Sequence, residues 1–76
     1  MNQIKEKAPT VIGIVTEALP NTMFKARVQI DGEEQEIFTH LSGKMRLNRI
    51  RVLIGDRVEI ELDKYGGKSN RITKRL

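Results

Sequence analysis

At 76 residues and with no cysteine, the chain reads as one domain without a disulfide, a thiolate metal site or a thiol nucleophile. A domain this small buries only about 60% of its unfolded surface, so its core is thin. Net charge is +4 and the pI about 9.8. No apolar run approaches the roughly 20 residues of a membrane span, and the opening MNQIKEKAPT lacks the apolar stretch of a signal peptide. These features predict a soluble, cytoplasmic, basic protein with no membrane association.

Residues 1–9 are polar and charged and end at Pro9, which predicts a flexible N-terminal arm preceding one domain over 10–76. TVIGIVTEAL, Thr10 to Leu19, is rich in β-branched residues and predicts a first strand. Ile12 and Ile14 fall on one of its faces and Val11 and Val15 on the other, a pattern that predicts burial on both sides. Gly13 is where such a strand could bend. LPNT carries turn chemistry at Pro20 and Asn21. Phe24, Ala26, Val28 and Ile30 then alternate with Lys25, Arg27 and Gln29, the pattern of a half-buried strand. Asp31-Gly32 predicts a hairpin, with EEQEIFTH as the returning strand.

The next stretch, LSGKMRLNRIR, fits neither period. It carries Lys44, Arg46, Arg49 and Arg51 and no acid. Ser42 and Gly43 suit the start of a short helix, and Met45 suits a core plug that, with Leu41, pins the segment. Beyond Gly55-Asp56, the residues Val58, Ile60 and Leu62 alternate with Arg57, Glu59 and Glu61 in the cleanest strand of the chain. YGGKSN reads as a loop and RITKRL as a last strand with Ile72 inward. Five short strands in so small a domain must close or expose their edges. The expected fold is all-β, a five-stranded Greek-key OB-fold barrel with a short helix between strands three and four. A small barrel of the SH3 type is the competing arrangement.

Charge is segregated along the chain. The segments Lys44–Arg51 and Lys64–Arg75 hold nine of the fourteen basic residues and no acid, whereas the acids gather at Asp31, Glu33, Glu34 and Glu36 and again at Asp56, Glu59, Glu61 and Asp63. One positive face is the electrostatic footprint of a nucleic-acid binder. A solvated basic surface without a partner is the plain alternative.

LPNTMF, HLSGKMR, IRVLIGDRV and KYGGKSNRI, in this order and spacing, resemble bacterial translation initiation factor one from Gly13 to about Arg75. The pairing of LPNTMF with SGKMR about twenty residues on is the specific part. The resemblance implies a single OB-fold that binds the small ribosomal subunit at the aminoacyl-site region of the decoding centre. It also implies cooperation with the other two initiation factors, one of them a GTPase. The chain departs from the family pattern at three places. Its hairpin around Asp31-Gly32 is longer; Leu47 and Arg49 stand where a basic and an aromatic residue are more usual; and Asn70 stands where a glycine often precedes the arginine.

With this resemblance, Lys44, Arg46, Arg51 and Arg49 are expected to meet rRNA phosphates, since arginine pairs bidentately with phosphate and stacks on bases. His40 is an expected RNA neighbour; Arg71, Lys68 and Arg57 form a second tier. Phe24 belongs in the core by its alternation, while Phe38 and Tyr65 fit either core or stacking roles. His40 is the only histidine, so no cysteine or second histidine can complete a metal site with it, and a Ser42–His40 pair lacks an orienting third group. No enzyme, metal or cofactor is expected. The expected function is a monomeric translation initiation factor whose partners are small-subunit rRNA and the other initiation factors. The alternatives are a general single-stranded RNA binder or RNA chaperone of cold-shock type, and a protein-interaction module.

Overall fold

The computed structural model describes residues 9–63 and 69–76. Its elements follow in the order β1 (Thr10–Leu19), β2 (Met23–Ile30), β3 (Glu33–Leu41), α1 (Gly43–Leu47), β4 (Arg57–Glu61) and β5 (Arg71–Arg75). The strands close into a barrel in the order β1-β2-β3-β5-β4. Every neighbouring pair is antiparallel except β3 and β5, which run parallel through His40↔Arg71 and Leu41↔Ile72. Residues 1–8 of the expected arm, and Tyr65 and Lys68 of the YGGKSN loop, lie outside the described residues. No helix among the described residues is long and apolar enough to cross a membrane.

Closure depends on β1 serving two partners. Its later residues pair with β2 and its earlier residues with β4, and Gly13 belongs to both ladders, opposite Val28 and opposite Val58. A Cβ at Gly13 would lie 2.6 Å from Val28 Cγ1 and 3.1 Å from the Arg27 carbonyl oxygen. Neither can move aside cheaply, because one belongs to a stiff β-branched side chain and the other to backbone. Glycine is therefore required for close approach. The irregularity of β1 falls three residues later, where its register with β2 shifts between Val15 and Glu17 around Thr16.

The expectation that β1 is buried on both sides is overturned. Val15 is fully buried and Val11 packs against the core, but Ile12 and Ile14 stay 45% and 47% exposed. A barrel has one inside, and the described residues offer no second layer to cover the outer face. The remaining alternations hold: Phe24, Ala26, Val28, Val58, Ile60 and Ile72 are buried, and Ile30 and Leu62 pack at the margin. Full burial of such an aliphatic side chain contributes about 1.5–3 kcal/mol.

The hairpin turn at Asp31 and Gly32 has φ of 54° and 80°, the two left-handed residues of a tight hairpin, and Ile30 pairs with Glu33 across it. β2 and β3 pair in unbroken register from Met23↔His40 to this turn, whereas the ladder of β2 with β1 stops at Val28. The tip thus projects past the β1 edge of the sheet.

Candidate nucleic-acid interface

The segment between β3 and β4 is built from a small number of local devices. Ser42 caps α1, its Oγ accepting a hydrogen bond from the Met45 amide at 3.2 Å, so this hydroxyl is engaged in holding the helix. The helix ends with the Arg49 amide donating to the Arg46 carbonyl and the Ile50 amide to the Met45 carbonyl, both at 3.1 Å. This is the Schellman arrangement, which places the residue after the C-cap in the left-handed region. Here that residue is Arg49, with φ 53°, where glycine is the usual occupant. Met45 and Val52 sink into the barrel core, and Ile50 packs against it. Met45 was legible in advance; Val52 is an anchor that the sequence pattern did not single out. Further on, Asp56 Oδ2 accepts from the Leu53 amide at 2.8 Å, and Gly55 and Asp56 exchange backbone hydrogen bonds with Val15, beside the β1 bulge.

With the backbone fixed in this way, Lys44, Arg46, Arg49 and Arg51 all face solvent. Arg46 reaches back over the end of β3, its Nη2 donating to the Leu41 carbonyl at 3.5 Å. Lys44 borders a groove of about 390 Å³ between α1 and β5, which Met45, Asn48, Ile50, Thr73, Lys74 and Arg75 also line. Lys74 and Arg75 therefore stand beside the expected array, although neither was an expected site residue. The β4–β5 ladder shifts register between Glu59 and Ile60, which leaves Thr73 as an extra residue and sets the facing of the two. Thr73 Oγ1 donates within this bulge to the carbonyl and carboxylate of Glu59. Strict alternation from Ile72 would turn Lys74 inward. With the bulge, Lys74 pairs with the outward Glu59 and Arg75 with the inward Val58. Arg75 then ion-pairs with Asp56 at 3.3 Å and donates to the Arg51 carbonyl at 3.5 Å.

His40 and Arg71 are neighbours across the parallel β3–β5 contact. His40 is half-buried on the outer face, since Thr39 and Leu41 on either side point inward and are buried. Arg71 is exposed and shares its charge with Glu61. Asn70 joins the two strands: its carbonyl accepts from the His40 amide, its Oδ1 accepts from the Asp63 amide, and its Nδ2 donates to the Phe38 carbonyl at 3.1 Å. A glycine could make only the first of these bonds.

Arg57 lies elsewhere. It lines a separate recess on the outer sheet with Ile12, Ile14, Arg27 and Glu34, which shares no residue with the α1–β5 groove. Of the expected residues, the structure thus gathers Lys44, Arg46, Arg49 and Arg51 on one segment. It sets His40 and Arg71 beside the start of that segment, and it separates Arg57 onto another face. Among the described residues no cluster of histidine and carboxylate side chains has the arrangement to hold a metal ion.

A closed five-stranded barrel with parallel β3–β5 closure, and its helix between the third and fourth strands, defines an OB-fold module. The chain matches the family described as translation initiation factor 1A / IF-1 over residues 1–76, and it belongs to that family. It is similar to the solution structure of translation initiation factor one from the Wolbachia endosymbiont strain TRS of Brugia malayi. That match has 44% identity and a TM-score of 0.70, covering 93% of this chain and 80% of that one. It also resembles part of the crystal structure of YjeQ from Thermotoga maritima, at 31% identity and a TM-score of 0.70 over 90% of this chain but only 23% of that longer one.

Proposed function

We propose that this family member binds the rRNA of the small ribosomal subunit at the decoding, aminoacyl-site region, keeps elongator tRNA out of it and assists the other initiation factors. It acts in the cytoplasm as a monomer, without catalysis or a cofactor, through residues 10–76 as one RNA-binding domain. The observation that carries this reading is the α1 segment itself. Met45 and Val52 anchor it in the core, while Lys44, Arg46, Arg49 and Arg51 stand in solvent with Lys74 and Arg75 alongside. Several fixed cations on a curved segment suit a folded RNA backbone better than a straight row along a strand does. Phosphate contacts of this kind supply affinity that falls with salt.

The test is co-sedimentation with purified small subunits, whole ribosomes and a single-stranded RNA oligomer. Preference for free small subunits is the expected result; equal retention of the oligomer favours the cold-shock-type alternative. With roughly four to six cations displacing counterions, log affinity should fall against log salt with a slope of about −3 to −5. Arg46→Glu should abolish subunit binding while the melting temperature holds, because the side chain is exposed and makes one long hydrogen bond. Glu34→Lys on the acidic hairpin reverses a charge too, but should leave binding equal or slightly stronger. If both variants bind like the parent, the α1 segment is not the contact surface.

A further inference from the structure

The chain has three aromatic residues, two Phe and one Tyr. A core this thin has use for each, and Phe24 is buried in it. Phe38 is 52% exposed on the outer face of β3, because Ile37 and Thr39 take the inward positions on either side. A lone exposed apolar side chain is ordinary. The surroundings of this one are not those of a bare strand.

Lys25 pairs with Phe38 directly across the β2–β3 ladder, and its Nζ sits over the ring, 5.5 Å from the centroid. Lys25 is itself held by Glu17 at 3.6 Å, its register partner on β1. The backbone of Phe38 is clamped by the Asn70 side chain across the β3–β5 seam. Two residues along the same face stands His40, next to Arg71. An aromatic ring on a rigid strand, with an ammonium over it and a guanidinium on the adjacent strand, has the components of a nucleotide platform: a π-face for the base and cations for the flanking phosphates.

We propose that Phe38 stacks on one unpaired base of the RNA, with Lys25 and Arg71 serving the phosphates on either side. This rests on the RNA-binding reading above and extends the contact surface from α1, across the end of β3 where Arg46 reaches back, onto the outer face of β3. It gives Phe38 a role that its strand position alone left open. It also gives Asn70 the task of fixing the platform, which a glycine at that place could not perform.

The chain contains no tryptophan, so Phe38→Trp installs a single indole reporter at the site. Titrated with purified small subunits, and corrected with the unsubstituted protein, its emission should fall and its access to acrylamide should drop as the complex forms, with affinity kept or improved. Phe38→Leu should retain its melting temperature, since the site is on the outer face, and lose roughly ten- to a hundredfold in affinity, the worth of one base stack. Phe38→Tyr should restore binding. If Phe38→Leu binds like the parent, or if the indole at saturation keeps the emission and acrylamide access of the free protein, the stack is overturned while subunit binding by the parent leaves the broader reading standing. Should the leucine variant fail to fold, the indole signal decides alone. If the parent itself does not bind subunits, both readings fall together.

Discussion

The two connections on either side of β3 solve the same problem in opposite ways. The β2–β3 turn places Asp31 and Gly32 in the left-handed region, residues that tolerate it, and its surroundings carry Glu33, Glu34 and Glu36. The β3–β4 connection is basic, sinks Met45 and Val52 into the core, and places an arginine in the left-handed position at the end of α1. The first is a turn whose residues match what its backbone requires. The second departs from local preference at the point where it presents charge, which is where strain and function tend to coincide. Opposite charge on the two connections also orients the domain: a polyanion is attracted to one and repelled by the other.

The strongest challenge to this contrast is to remove the barrel that supports both. Val58 is fully buried on β4, opposite Gly13 on one side and Arg75 on the other. Val58→Asp places a carboxylate in the barrel interior, beside an Arg75 that Asp56 already holds, and should cost about 3 kcal/mol or more, a large share of a small domain's stability. Thermal melting followed by circular dichroism should show the folded transition lost at ambient temperature. A variant that melts like the parent would mean that the inward face of β4 is misassigned.

A smaller effect separates the basic connection from the barrel. Met45 is the one side chain of α1 that enters the core. Met45→Ala removes that anchor and should cost about 2–5 kcal/mol, the range for truncating a buried side chain of this size. Because it releases the segment carrying the cations, subunit affinity measured at a temperature where the variant is still folded should fall as well. An equal loss of stability with full affinity would show that the array does not depend on its anchor. The acidic hairpin has no such coupling, since its tip residues Asp31 to Glu36 are all exposed.

What could be read from the sequence, and what could not, divides along the same physical line. Strict alternation exposes β2 and β4 and their inward residues, Asp31-Gly32 announces its turn, and Ser42 with Met45 announces a capped helix with a core plug. These signals are local. The two bulges are not, because each is defined by a partner strand. The one at Thr16 has no recognisable signature within β1, and the one at Thr73 reverses the parity of the tail, setting Lys74 opposite the outward Glu59 rather than inward. The exposure of Ile12 and Ile14 is of the same kind, since an apolar pattern reports that a residue can be buried, not that the fold has something to cover it. The proposed surface was therefore legible where one segment carries its cations, and the cations that β5 sets beside that segment were not. Arg57 shows the converse, being basic and close in sequence yet lining a recess apart from the α1 segment.

The smallest predicted effect is the one that tests the contrast between the two connections most directly. Arg49 has φ 53° and closes the Schellman motif through its amide, so its backbone position is fixed by bonds that any residue with an amide N–H can make. A side chain bearing a Cβ is disfavoured there by about 1 kcal/mol or slightly more, part of which glycine returns through greater freedom in the unfolded chain. Arg49→Gly should therefore stabilise the domain by about 0.5–1 kcal/mol while lowering affinity for small subunits and reducing the magnitude of the salt slope by about 1. The two readouts move in opposite directions, which no simple loss of structure can imitate. Asp31→Gly, the matching change in the acidic turn, replaces a residue that already tolerates its conformation and should leave affinity unchanged or slightly raised. If Arg49→Gly is stabilised and binds as before, the strained arginine is a local accident and the proposed array reduces to Lys44, Arg46 and Arg51. If it is destabilised, the side chain of Arg49 makes a structural contribution larger than the strain it imposes, and the two connections differ less than their backbones suggest.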